Sequence, residues 1–457
     1  MFAASTALRT AAAAALGADH QRLFIVGGHI TPFVGKGNPD FIDKRHPDFG
    51  KRKNDTIEEV LAKTVDGTLT HCGPLLRGKE RLIDVLAVGN FCGELFCSQG
   101  HLGAALVGSL TYGEANAAKY RDVADAFMGK PCTRVEGACA SGGLAILSVA
   151  NALRTGAADI GLAVGVEVQT TASPRVGGDY LARASHYATQ RGIDDFTFPC
   201  VFARRVKALV EAGRLTMDDI ARVAEKDYEN ASKNPLAHMH HAKLRGADAF
   251  AASEANPCFL QNAAYRPYMR VRDCSQVSDG GAGIVLATEA GLTKLGLTRR
   301  DPRLVEVRAL EQGTGNLYAD PVDLTRMTTS QAVFERALQR AGVGVDQVQV
   351  AEVHDCFAVT ELLMYEAMGL CKVGEAAAYF ASGATRLDGA VPVNTGGGLV
   401  AFGHPVGATG VKQLVEVYRQ MKGECGDYQM ARRPAIGATV NMGGDDKTVV
   451  CSVLENI

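Results

Sequence analysis

The sequence predicts an α/β protein of two similar βαβ-type halves with an inserted loop lobe, and three observations carry that prediction. Short apolar strands alternate with helical segments along most of the 457 residues. A strand feeding a glycine-rich turn that opens a helix occurs twice, at Gly137-Ala138-Cys139-Ala140-Ser141-Gly142-Gly143 and at Gly403-His404-Pro405-Val406-Gly407-Ala408. Between them, from about Thr170 to Tyr268, the alternation gives way to polar sequence rich in Arg, Lys, His and Asn. That stretch reads as a lobe set into the first half.

Residues 1–20 read as a targeting leader. Met1 to Gly17 is rich in Ala, Ser and Thr, carries Arg9 and has no acid before Asp19, as in mitochondrial presequences. A peroxisomal or glycosomal address is the alternative, since Arg22-Leu23 is followed five residues later by His29-Ile30, although the last residue departs from the usual Leu or Ala. Leu23–Gly27 reads as the first strand. Gly35–Asn54, basic and rich in Pro and Gly, reads as a surface loop. Thr56 caps a helix whose first turn holds Glu58 and Glu59, where the dipole favours acids. Strands follow at Leu82–Val88, Cys132–Val135 and Ile160–Val166, with a small-residue helix over Ala140–Leu153. Inside the lobe Met217–Tyr228 reads as helical.

The alternation resumes with strands at Gly283–Ala287 and Leu304–Ala309, a helix at Ser330–Ala341 and a strand at Val348–Val353. Helices at Cys356–Met368 and Val406–Met421 and strands at Ala435–Val440 and Thr448–Leu454 close the chain. The β-α-β order predicts parallel pairing. The boundaries are therefore 21–169 with 269–298 for the first half, 170–268 for the lobe and 299–457 for the second half.

Composition narrows the function. With 48 Lys and Arg against 50 Asp and Glu the net charge is -2, which supplies no field for nucleic acid or an anionic membrane. No apolar run reaches the roughly 18 residues of a membrane span. The 12 cysteines are scattered without a CxxC pair, so neither a disulfide scaffold nor a structural zinc site has the spacing it needs. A functional cysteine must be recognised by its surroundings.

Three segments qualify. Cys139 sits at a strand-to-helix turn among residues too small to cover it, where helix N–H groups favour a thiolate and can hold a substrate oxyanion. His404, fixed between glycine and proline at a helix start, is an approachable base; a capping role is its bland alternative. In Val353-His354-Asp355-Cys356-Phe357 an apolar strand delivers three polar side chains to the strand's carboxyl end, where ligands of parallel sheets gather. Cys356 can serve there as a second thiol that moves protons. His238, His240 and His241 form a cluster in the lobe that suggests a solvated loop or contact to phosphates ahead of a metal site. Arg204, Arg205, Lys207, Lys243 and Arg245 could grip phosphates.

Taken together, Cys139 in Cys-Ala-Ser-Gly-Gly, His354–Phe357 and Gly403-His404-Pro405 resemble the thiolase superfamily, and most of all its sterol carrier protein X type. The resemblance spans nearly the whole chain after the leader. It implies the five-layered αβαβα thiolase fold and a homodimer. Common thiolases carry Asn-Glu-Ala-Phe where this chain has His354-Asp355-Cys356-Phe357, and a catalytic Cys-x-Gly where it has Asn441-Met442-Gly443. The sterol-carrier type takes its second cysteine from the His-Asp-Cys-Phe loop. The appended lipid-carrier domain of that type is expected to be absent, since the chain stops at Ile457.

The resemblance implies roles. His404 removes the proton of Cys139, the thiolate attacks a 3-keto carbon, and Cys356 protonates the departing acetyl-CoA carbanion and then activates incoming CoA. His354 and His404 line one oxyanion pocket, the N–H groups of Cys139 and Gly443 the other. Ser275 and Phe357 flank the CoA arm, and the lobe covers the pantetheine and fatty tail. CoA is a substrate, and no metal or redox cofactor is required. The expected activity is 3-ketoacyl-CoA thiolysis in fatty-acid β-oxidation. Two alternatives stay open: acetyl-CoA condensation toward sterols, and a thiolase-fold lipid or acyl-CoA binder without turnover.

Overall fold

The computed structural model describes residues 21–457; the leader read over residues 1–20 lies outside them. Among the described residues there are nine strands: β1 Phe24–Ile30, β2 Val85–Gly89, β3 Cys132–Val135, β4 Ile160–Glu167, β5 Gly280–Ala287, β6 Val305–Thr314, β7 Val350–Val353, β8 Ile436–Gly443 and β9 Thr448–Asn456. They hydrogen-bond in the order β3-β2-β4-β5-β1-β6-β9-β8-β7. The first five and last four strands form the two halves, and β1 meets β6 at their seam through Phe24 with Glu306 and Ile25 with Val305.

The halves repeat one plan. In the first, β2 runs parallel to β3 and β4, and β5 lies antiparallel to both β4 and β1. In the second, β7 and β8 are parallel and β9 is antiparallel to β8 and β6. The expected all-parallel pairing is thus corrected to a mixed sheet. Four residues separate β8 from β9, too short a link for anything but an antiparallel hairpin. β5 re-enters from the lobe that β4 leads into, so it too runs back along its neighbour.

Helices make the remaining layers. Ile57–Cys72 covers β1, β4 and β5 on one outer face, and Thr328–Ala341 covers β6, β8 and β9 on the other. Between the halves lie Ser141–Arg154 and Thr409–Lys422, which pack on each other and on strands of both halves. Thr56 begins the first of these helices as its sequence suggests: its hydroxyl accepts from the Glu59 N–H, and its own N–H donates to the Glu59 carboxylate at 2.8 Å. Such a cap is worth about 1 kcal/mol. The same helix explains the glycines of β5. A Cβ on Gly281 would lie 2.1 Å from Thr64 Oγ1, and one on Gly283 2.2 Å from Thr68 Oγ1.

The lobe is more helical than its polar sequence suggests. Beside the expected helix, observed as Met217–Ala231, it holds Pro174–Leu181 and Thr197–Glu211. Two further helices, Leu102–Ser109 and Gly113–Phe127, also escaped the reading, because internal glycine and alanine blur their periodicity. Among the described residues no helix is long and apolar enough to cross a membrane.

Candidate active site

The cysteine turn is built by its small residues. Ala138, directly before Cys139, has φ +52°, a left-handed conformation rare outside glycine, and it turns the chain sharply from β3 into the helix. Ser141 holds this turn closed: its hydroxyl donates to the Ala138 carbonyl at 2.6 Å and accepts from the Gly137 N–H at 3.0 Å. Gly142 and Gly143 then let two helix starts meet. A Cβ on Gly142 would stand 2.7 Å from the Gly407 carbonyl and 2.9 Å from the Gly410 nitrogen. Close packing at these glycines thus brings the cysteine turn to the histidine loop.

His404 is buried, and its backbone is pinned on both sides. Its N–H donates to the Gln276 carbonyl at 3.1 Å, and its carbonyl accepts from Gln169 Nε2 at 2.8 Å. Nδ1 lies 2.7 Å from Thr409 Oγ1, whereas Nε2 has no protein partner. The helix expected from Val406 starts at Thr409, because Pro405 to Ala408 form the turn that carries this ring.

The second loop leaves β7 at His354. Asp355 points away from the cavity and accepts from the N–H groups of Leu399 (2.7 Å) and Val400 (3.2 Å). The glycines after Asn394 permit that closure, since Gly398 has φ +60° and a Cβ there would strike the Asp355 carboxylate. The alternation turns His354 and Cys356 the other way. One ligand-capable atom each from Cys139, His354 and His404 lies within 4.8 Å of the others. Cys356 lines the same cavity, of about 640 Å³.

Ser275 and Phe357 also reach the cavity wall. The Ser275 N–H donates to the Cys356 carbonyl at 2.9 Å, and the Phe357 ring stacks on Phe202 at 4.6 Å. Gly443 is paired with Thr448 inside the sheet, with its Cα against the Gly137 carbonyl. The N–H that reaches Cys139 Sγ is that of Gly444, one residue on, where φ of +67° turns the chain out of β8. The N–H that acts on the sulfur is thus one residue beyond the expected Gly443.

Burial sets the electrostatics. It pushes the Cys139 thiol up to about 12, helped by the nearby Glu167 charge and opposed by the N–H groups of Gly444 and Cys139 itself. It lowers His404 to about 3, with Lys412 adding to the effect, and holds His354 well below its ordinary value. Burial also raises Cys356. The resting site thus holds two thiols and two neutral imidazoles, not the preformed thiolate that the helix N-terminus alone suggests. Desolvation outweighs the dipole here.

Sequence reading missed Glu167, although an acid closing the apolar run of β4 was a visible signal. Its carboxylate accepts from the N–H groups of Phe91 (2.9 Å), Cys92 (3.1 Å) and Gly407 (3.1 Å) and from the Asn90 amide (2.9 Å), so it ties the first half to the histidine loop. The aromatic wall of Phe91, Phe96, Phe196, Phe198 and Phe259 was missed as well, because its members come from distant segments.

Several candidates find other employment. His238 is buried, its Nδ1 2.8 Å from Ser278 Oγ and its Nε2 3.1 Å from the Lys36 carbonyl. The rings of His240 and His241 lie 4.8 Å apart but join no ligand cluster among the described residues. Arg205 is only 1% exposed and bound to Asp445 at 2.6 Å, so it cannot grip a phosphate. Arg204 pairs with Asp320 at 3.0 Å. A second ligand-capable group, Asp227, Asp355 and Glu361, is served by the Lys226 ammonium, which pairs with Glu361.

Comparison with known proteins agrees with this geometry. Residues 100–290 match the family "Thiolase, N-terminal domain" and residues 309–456 match "Thiolase C-terminal domain-like". An acetyl-CoA acetyltransferase of Methanothermobacter thermautotrophicus is 32% identical over 405 residues, covering 89% of this chain and 96% of that protein. Sterol carrier protein 2 of Rattus norvegicus is 25% identical over 436 residues, covering 93% of this chain and 70% of that one. Among solved structures, an Ltp2-ChsH2(DUF35) aldolase superposes with a TM-score of 0.68 at 18% identity, covering 95% of this chain and 98% of that one, a likeness of fold. With two converging histidines, two thiols in one cavity and these matches over both halves, the chain belongs to the thiolase superfamily of acyltransferases.

Proposed function

We propose that the protein cleaves 3-ketoacyl-CoA with CoA, releasing acetyl-CoA through an acyl-Cys139 intermediate. The convergence of Cys139, His354 and His404 within 4.8 Å, beside Cys356, carries this reading. His404 Nε2, which has no protein partner, takes the Cys139 proton as the sulfur attacks the 3-keto carbon. The bond between C2 and C3 breaks, and its electron pair passes from C2 onto the thioester oxygen as an enolate. Cys356 delivers its proton to C2 and acetyl-CoA leaves. The Cys356 thiolate then takes the proton of incoming CoA, whose sulfur attacks the acyl carbon, and Cys139 departs and recovers its proton from His404. His354 and the N–H groups of Cys139 and Gly444 serve the oxyanions, where removing one donor costs about 3 kcal/mol in comparable sites.

The phenylalanine-lined cavity favours the degradative direction with acyl groups larger than acetyl. The acetyl-CoA acetyltransferase relative supports the rival, condensation of acetyl units. Rates over a ladder of 3-ketoacyl-CoA lengths, with acetoacetyl-CoA as the shortest, separate them: preference for long chains supports the degradative reading, and activity confined to acetoacetyl-CoA supports condensation. Absence of product from every substrate returns the chain to the binder reading.

Homodimerisation is proposed as well. β3 is an edge strand paired only with β2, with partly exposed residues and one free row of backbone groups. Light scattering of the purified protein tests this, and a monomer overturns it. For residues 1–20 we propose mitochondrial targeting. A chain lacking Met1–Gly17 should stay active and lose mitochondrial import, and retained import refutes the assignment.

A further inference from the structure

Asn441, at the end of β8, occupies the position where the common thiolase pattern has its second cysteine, and it is buried. Its amide meets three groups. The Gly143 N–H donates to Oδ1 at 3.2 Å, and Nδ2 donates to the Cys139 carbonyl at 3.0 Å. Both partners are backbone groups of fixed polarity, so the amide can point only one way. The second hydrogen of Nδ2 is then directed at His354 Nδ1, 3.3 Å away. A nitrogen that receives a hydrogen bond carries a lone pair, so the single proton of neutral His354 resides on Nε2.

His404 is arranged the other way. Thr409 Oγ1 lies 3.2 Å from the Pro405 carbonyl, which can only accept, and 2.7 Å from His404 Nδ1; with the hydroxyl hydrogen directed at the carbonyl, the oxygen accepts from His404 Nδ1. That leaves a bare lone pair on His404 Nε2, the nitrogen without a partner. One imidazole faces the cavity as a donor and the other as an acceptor, although the two share one burial and one neutral charge state.

We propose that Asn441 is a positioning residue that locks His354 in the Nε2–H tautomer, making it a permanent hydrogen-bond donor to substrate oxygen. The lock also keeps His354 from acting as a second base for the Cys139 proton. The catalytic part of this inference rests on the function proposed above. The tautomer itself is a property of the resting protein, so the two can fail separately.

The test is long-range proton–nitrogen correlation NMR on full-length protein labelled with ¹⁵N-histidine, with His354 assigned by its loss in His354→Asn. The expected spectrum shows Nε2 protonated and Nδ1 bare, and a proton on Nδ1 overturns the proposal whether or not Asn441→Asp folds. Asn441→Asp keeps the shape but replaces the donor with an acceptor. Loss of the Nε2 proton should then accompany a fall in kcat of about 10²–10³-fold, with KM within about threefold. If kcat falls while Nε2 keeps its proton, or survives when that proton is lost, the amide is merely structural and the proposal is overturned.

Discussion

The ring of His354 stands edge-on to that of His404, with centroids 5.1 Å apart and planes at 82°. This crossing lets each ring present a nitrogen to the space beside Cys139 without stacking on the other. Because burial keeps both neutral, their proximity carries no charge repulsion. Division of labour between them follows from their hydrogen-bond partners, not from their charge.

If Cys139 is the nucleophile and His404 its base, the two have separable signatures. Cys139→Ala should abolish the acyl-enzyme adduct in intact-protein mass spectrometry after mixing with a 3-ketoacyl-CoA. His404→Asn should still form it, at a rate lowered about 10²–10⁴-fold. An adduct that persists in Cys139→Ala assigns the nucleophile elsewhere.

The thiol held up at about 12 makes a kinetic prediction. Iodoacetamide attacks only the thiolate. Alkylation of Cys139 in the free enzyme should therefore climb by about tenfold per pH unit from pH 7 to 9, without a plateau. A preformed thiolate would alkylate at nearly constant rate over that window, and a flat profile refutes the neutral resting pair.

Cys356→Ala removes the second proton carrier and leaves Cys139 and both histidines in place. Turnover should fall by about 10²–10⁴-fold. CoA binding, followed by calorimetry, should change little. Near-normal turnover would mean that another group protonates the carbanion.

Acid should loosen the protein through these same histidines. His404 is lowered to about 3, against 6.5 for a free side chain. Between those values the unfolded chain binds a proton that the folded one refuses, so stability falls as pH drops from 6.5 toward 3. The slope from one such group approaches about 1.4 kcal/mol per pH unit. Urea midpoints at pH 7 and pH 5 should show a smaller loss for His404→Asn than for the parent; an equal loss assigns the effect to other groups.

Gly142→Val tests the contact between the two helix starts. Its Cβ would press on the Gly407 carbonyl and the Gly410 nitrogen. Overpacking there should cost about 1–3 kcal/mol in thermal unfolding. Displacement of the sulfur from the imidazole by about 1 Å should cost about 10²-fold in kcat/KM. Wild-type kinetics would show that the approach tolerates more room.

The reactive residues were legible because they lie at marked breaks in the sequence: Cys139 and His404 sit among glycines, His404 directly before Pro405, and His354 and Cys356 follow the abrupt end of an apolar strand. Strand direction was not, since alternation of elements does not reveal that β5 and β9 run back along their neighbours. The Gly444 donor differs from the expected Gly443 by one residue, a displacement fixed by where β8 stops pairing and invisible in Gly443-Gly444. The roles of Glu167 and Asn441 escaped because their backbone partners lie 75–302 residues away, a separation for which local sequence has no signal.

Cys139 is contributed by the half that ends at β5, whereas His354, Cys356 and His404 come from the half that begins at β6. The attacking sulfur and the imidazole that takes its proton therefore lie in different halves. While the chain is still being synthesised or is only half folded, Cys139 has no imidazole beside it, and His404 has no nucleophile to deprotonate. The nucleophile–base pair is therefore assembled only once both halves have docked.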